Sequence, residues 1–322
     1  MKNKSTYIYT FFILVIIFLS YILNNVIGIK WEGSLTISIL TLTFCFQLIQ
    51  YSINNFEGRF YEMIRLHRQN VSEFEINENI KDKKVFVAIM KELRSAREIV
   101  LSVCYKNQNI TQEIQHNSLS IAYLIIFFGI GTNSDRMLKK RLKNYITSES
   151  QITLLLESLD KNKKLSSKSK GHYKYTYFDG HQLRLGHYYR HLFQAFDYLD
   201  SSLFLNNTGK KKYAKMLRAQ LSTYEQALFF INSITPLGLS WWRKGYIRKY
   251  KIVKNIPTDF FSDGEIDLKS YFKKSNSYFI NNKHDHESTY FESDTYEMDD
   301  DYVFTNECVT KMKSTSTKNH ND

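Results

Sequence analysis

Arg184, His187, Arg190 and His191 fall within one short run, and Arg218, Gln220, Ser222 and Glu225 follow in the string LRAQLSTYEQ. A guanidinium beside an imidazole is a minimal kit for metal-independent phosphodiester cleavage. The cation holds the phosphate and the ring moves the proton. Two histidines four residues apart, His187 and His191, can also share a helix face and bind zinc. Tyr188 stands where the metalloprotease motif has its glutamate, and the sequence offers no third ligand. The GIGTNS segment at 129–134 lacks the lysine of a phosphate-binding loop and follows a helix-like run. Neither a metal nor a nucleotide cofactor is expected.

Arg184 and His191, with six residues between them, fit the loose Arg-x4–6-His pattern of HEPN ribonucleases. That resemblance implies a phosphate grip for Arg184 and acid–base transfer for His191. So short a pattern arises readily in a chain with 44 lysines and arginines. The competing reading of the same residues is ordinary hydrogen bonding at a half-buried helix boundary. For Arg218, Ser222 and Glu225 the competing reading is a partly buried charge set that specifies the fold.

Two amphipathic helices must position these groups. In 183–200, Leu185, Tyr188 or Tyr189, Leu192, Phe196 and Leu199 make an apolar stripe. Arg184, His187 and His191 share another face. The segment 211–232 reads as one helix with a stripe of Ala214, Leu217, Leu221, Tyr224, Leu228 and Ile231. Arg218, Ser222, Glu225 and Asn232 run along its edge, at spacings that let neighbours touch.

Upstream, helical periodicity covers 56–80 and 84–104, with a charged link between them. The run LSIAYLIIFFGI at 119–130 is too short to cross a bilayer and reads as a core helix. A turn follows, with Ser134 or Asp135 as the N-cap of the next helix. Lys161, Lys163, Lys164, Lys168, Lys170 and Lys174 read as a mobile basic loop.

Tyr7 to Ile27 and Ser34 to Ile53 are both uncharged, and each is long enough to span a hydrocarbon core of roughly 30 Å as a helix. Gln47, Gln50 and the threonines and serines of the second run can face the first as interhelical hydrogen-bond partners. Lys2 and Lys4 precede the first run, and Arg59, Arg65 and Arg68 follow the second. Positive charge on both outer flanks places both termini in the cytoplasm of a two-pass inner-membrane protein.

Only two prolines interrupt the 322 residues, which favours long helices. The net charge of +12 suits anionic lipid, or RNA more weakly. Cys45, Cys104 and Cys308 are scattered and suggest no disulfide framework. The expected fold is all-α: a two-helix transmembrane hairpin at 1–55, a cytosolic multi-helix domain at 56–261, and a largely disordered tail at 262–322. Eight acidic residues from Asp285 to Asp301 mark that tail.

Five strings resemble the phage abortive infection proteins of the AbiC-like group: FEGRFYEMIRLHRQNV, IAYLIIFFGIG, GHYYRHLFQAFDYL, YAKMLRAQLSTYEQALFFIN and GYIRKYKIVKNIP. They cover roughly 56–257, in the family's order and behind two spans. The resemblance implies bacterial antiphage defence, set off by a phage protein or a phage-induced signal, and brings no settled catalytic step. Gly186, His187, Tyr188, Arg190, Arg218, Gln220, Ser222 and Glu225 are the positions expected to matter. The alternatives are an anchored ribonuclease using Arg184 and His191, and a membrane scaffold or receptor that cleaves nothing.

Overall fold

The computed structural model describes residues 2–28, 30–131, 135–168, 175–257 and 260–261. The expected tail at 262–322, Ser134, Lys170 and Lys174 lie outside the described residues. The described chain is mostly helical and divides into two compact units. Met1–Met63 with Ser201–Asn206 form one, and the remainder forms the other.

The first unit holds helix α1 (Lys2–Asn25) and most of α2 (Trp31–Ser72). The two helices meet along a serine seam. Ser20, Ser34 and Ser38 are buried, and Ser20 Oγ donates to Ser38 Oγ at 3.1 Å. Small residues four apart allow this close approach. Gln47 and Gln50, expected to face α1, are exposed instead. The hydroxyls of Thr36, Thr41, Thr43 and Ser52 turn back onto carbonyls four residues earlier in their own helix. Such back-bonding satisfies a hydroxyl without a partner helix. Among the described residues, α2 is the one helix long and apolar enough to cross a membrane. It runs without a break past 55/56, where the sequence suggested a domain boundary.

The second unit is built around α4 (Gln112–Phe128). Every residue from Ser118 to Ile130 is buried, so this helix is apolar all round because protein surrounds it. The core-helix reading of 119–130 holds, with the helix starting earlier, capped by Thr111 Oγ1 on Ile114 N. Against α4 pack α3 (Lys84–Cys104) and α9 (Thr223–Ile234), and α6 (Glu149–Lys168) lies on α3. A small antiparallel hairpin, β1 (Glu75–Asn77) and β2 (Ile80–Lys81), joins α2 to α3. Asn77 Oδ1 accepts from the backbones of Asn79 and Ile80 and closes its turn. The helical periodicity assigned to 56–80 therefore ends at Ser72.

Helix α5 covers Asp135–Leu142. Helices α7 (Gln182–Ser201), α8 (Asn207–Arg218), α10 (Leu239–Arg243) and α11 (Tyr246–Tyr250) complete the unit. Aromatic rings tie α7, α9, α10 and α11 together. Trp241 meets Phe229 edge-on at 4.7 Å and also contacts Phe193 and Phe196. Two sequence readings are corrected. Lys161, Lys163, Lys164 and Lys168 lie on α6 rather than in a loop, because Ile152, Leu155 and Leu159 give that helix a buried stripe. Lys163 Nζ is held by Ile130 O at 2.8 Å and Asp179 at 2.6 Å. The expected helix at 211–232 is two helices with a turn at 219–222.

The end of α4 and the start of α7 are locked together. His181 N donates to Ile126 O at 2.9 Å, and Ile130 N donates to Phe178 O at 2.8 Å. The first bond satisfies a carbonyl that the α4 C-terminus leaves open, and the second ties the residue after that terminus to Phe178. Gly129 (φ 75°) and Gly180 (φ 90°) make the approach possible. A Cβ on Gly180 would lie 2.7 Å from Phe128 O, and one on Gly129 would lie 2.6 Å from Asp179 O. Gly180→Ala adds a positive-φ strain of roughly 1–3 kcal/mol to that clash. We expect thermal unfolding to fall by several degrees, and an unchanged transition would refute the close-approach account.

Candidate functional site

The turn at 219–222 ends in Ser222, whose side chain caps α9. Glu225 N donates to Ser222 Oγ at 3.3 Å, and Ser222 N donates to Glu225 Oε2 at 2.7 Å. This reciprocal pair is a capping box. It places the Glu225 carboxylate in the first turn of α9, where the helix dipole favours a negative charge. Glu225 is nevertheless buried. Its second oxygen accepts from Tyr188 Oη of α7 at 3.1 Å. Both carboxylate oxygens are thus occupied. Burial, followed by the Glu225 charge, holds the Tyr188 phenol well above its usual value, so it stays a donor.

The ring of His67, from the end of α2, packs on Tyr188 with centroids 5.0 Å apart. His191 stacks on His67 at 6.1 Å. Among the described residues, neither nitrogen of buried His67 has a hydrogen-bond partner, and neither does His191 Nδ1. Burial pushes His67 down to about 4, with His191 and Lys83 adding to the effect. His191 is lowered as well, first by burial and then by His187. Beside this stack, Gln220 is tied down by two cations. Arg68 Nε donates to its Oε1 at 2.7 Å and Lys83 Nζ to its carbonyl at 3.2 Å. Arg218 Nη1 donates to Lys251 O at 3.1 Å.

A second polar cluster lies at the N-terminus of α7. Glu92, fully buried on α3, accepts from Phe178 N at 2.7 Å and pairs with His181 Nε2 at 3.0 Å. Arg184 Nη1 approaches His181 Nδ1 at 3.3 Å, and Arg184 Nε donates to Glu75 O at 2.9 Å. A guanidinium only donates. His181 Nδ1 must therefore accept, which puts the ring proton on Nε2, facing Glu92.

The structure thus joins Tyr188, Ser222 and Glu225, and Gln220, two residues before Ser222, is bound to Arg68 and Lys83. His187 and Arg190 are exposed. A methyl group on Gly186 would meet only Phe127 Cζ at 3.8 Å, so no contact here demands glycine. Arg184 and His191 are not brought together. They sit two helical turns apart, about 10 Å along the axis, and each is engaged elsewhere: Arg184 with Glu75 and His181, His191 with His67. Glu92, His181 and His67 carry no motif spacing that singles them out in the sequence. Among the described residues, no three His, Cys, Asp or Glu are grouped to hold a metal ion.

The family model described as "Putative phage abortive infection protein" matches residues 180–261. The matched segment, which is similar to this family, runs from Gly180 through α7–α11. The similar strings at 56–71 and 121–131 lie outside the match. No curated protein and no solved structure matches the chain.

Proposed function

We propose that this protein is a membrane-anchored antiphage defence protein that acts through its helical second unit. The observation that carries the reading is the family match over 180–261, which falls on the helices enclosing the Tyr188–Glu225 network. The anchor is supported by α2, whose apolar stretch carries exposed Leu40, Phe44, Phe46 and Ile49. Water is a poor solvent for such a surface and lipid is a good one. With positive charge outside both spans, both termini belong in the cytoplasm. The closed hydrogen bonding of Glu225 and Tyr188 favours a sensing or scaffolding role over bond cleavage, because no group in it is left to move a substrate proton. Exposed His187 and Arg190, on the outer face of α7, are where a phage protein or phage-induced signal would be met.

The test is efficiency of plating on cells carrying the gene. Arg190→Ala removes an exposed side chain and should abolish protection at an unchanged protein level. Tyr188→Phe breaks the bond to Glu225 and should weaken it. Equal protection by wild type and both variants would reject this face of α7. Full phage sensitivity with abundant wild-type protein would reject the defence role for the phages tried. Intact cellular RNA during protection would count against the ribonuclease alternative.

A further inference from the structure

We propose that the acidic segment 285–301 docks on the basic face that α8 and α11 share within the second unit. Residues 207–257 hold eleven lysines and arginines and one acidic residue, Glu225. Glu225 is buried with both oxygens occupied, so it neutralises none of that surface. Lys211, Lys212 and Lys215 are exposed on α8, and Lys249 is exposed on α11. The two helices are joined at two points. Arg218 Nη1 of α8 donates to Lys251 O, just past α11, at 3.1 Å. Lys210 Nζ donates to Asp200 O, and the Asp200 carboxylate pairs with Lys249 and accepts from Tyr250 Oη at 2.6 Å. Lys249 and Lys244 thus have carboxylates, Asp200 and Asp197, whereas Lys211 and Lys212 meet none among the described residues. Like charges gathered on one surface repel, and an anion relieves them.

The chain supplies that anion itself. Between 285 and 301 it carries eight carboxylates and no lysine or arginine. Its point of departure is close to the basic face. Phe260 meets Tyr224 edge-on at 5.1 Å, in the first turn of α9, the helix that follows α8. The 23 residues from 262 to 284 can reach at most about 80 Å. A domain of this size is roughly 40 Å across, so reach does not keep the carboxylates from the lysines. One exposed ion pair contributes little. Eight carboxylates on one tether act together, because each contact holds the rest at high local concentration. A separate nucleic acid or a second copy has no such tether. Docked there, the segment closes the face to other polyanions.

The test is zero-length carbodiimide cross-linking of the full-length protein in detergent at low salt, with the joined residues read by mass spectrometry. Links from Lys211, Lys212 or Lys215 to acids within 285–301 are expected. They should all but disappear in 1 M salt, where the screening length is about 3 Å. Reversing Lys211 and Lys212 to glutamate should sharply reduce the links that remain at Lys215. The Lys163–Asp179 pair, 2.6 Å apart and on other elements, is the internal control for a folded chain. Light and isotope-labelled protein, mixed, should give no hybrid links. Control links in the wild type without any to 285–301 would overturn the docking, and so would links from that segment confined to α5 and α6. Hybrid links would put the segment on a second copy and overturn the intramolecular contact. Links at Lys215 that ignore both salt and the charge reversal would overturn the electrostatic account.

Discussion

Glu92→Ala is expected to destabilise the helical unit by roughly 2–5 kcal/mol, the sum for two buried donors left unsatisfied at about 1–3 kcal/mol each. Two buried donors lose their acceptor at once: Phe178 N–H at 2.7 Å and His181 Nε2–H at 3.0 Å. Water cannot replace it cheaply, because Glu92 is fully buried and His181 almost so. The same segment carries the close approach of Gly129 and Gly180, so loss of the carboxylate frees the junction between α4 and α7. Urea unfolding of the detergent-solubilised protein, followed by emission from buried Trp241 and Trp242, measures the effect. Glu92→Gln should give only partial relief. An amide donor facing Nε2 drives the ring proton to Nδ1, where it meets the Arg184 guanidinium at 3.3 Å. A loss below about 1 kcal/mol for the alanine variant would mean that the pair is not desolvated as described.

Periodicity read the larger elements well where a helix buries one stripe. Leu185, Tyr188, Leu192, Phe196 and Leu199 are all buried on α7, as their spacing required. The same spacing misled at 211–232. Ala214, Leu217, Leu221, Leu228 and Ile231 are buried, yet the chain turns between Arg218 and Thr223. The signal for that break was present: Ser222 and Glu225, three apart and ahead of an apolar run, spell a capping box. Glu92 sits within the apolar stripe of Ile89, Leu93 and Ala96, which marks a buried carboxylate without naming its partner. His181 is 89 residues away in the chain, and no local rule links the two. His67 is hidden for the same reason: its neighbours Tyr188 and His191 come from a helix more than a hundred residues further along the chain.

Those long-range pairs share a pattern. Polar groups of the matched segment find partners on the helices before it. His181 takes Glu92 of α3, Asn232 Nδ2 donates to Tyr123 Oη of α4 at 3.0 Å, and Tyr188 packs under His67 of α2. Apolar contact alone tolerates sliding of one helix over another. A buried donor that must meet one acceptor does not. The matched segment is therefore seated in one register on a cradle supplied by residues 64–128, and its exposed α7 face is held still by that cradle.

Acidification should expose the cost of that arrangement at His67. The unfolded chain protonates this ring near 6.5, and the folded protein only near about 4. Between those values the unfolded state binds more protons, so stability falls as pH falls. The loss from this residue is about 2 kcal/mol at pH 5 and about 3 kcal/mol below pH 4. The physical causes are burial first, then the neighbouring His191 ring and the Lys83 ammonium, which leave no room for a third positive charge. His67→Phe keeps a ring against Tyr188 and removes two buried nitrogens that have no partner among the described residues. It should leave stability at pH 7 unchanged or higher and flatten the decline between pH 6.5 and 4. The check is a urea midpoint series across that range for wild type and variant. Parallel curves would show that His67 protonates as readily folded as unfolded. A wild-type slope of opposite sign would show that the ring gains an anionic partner when it charges.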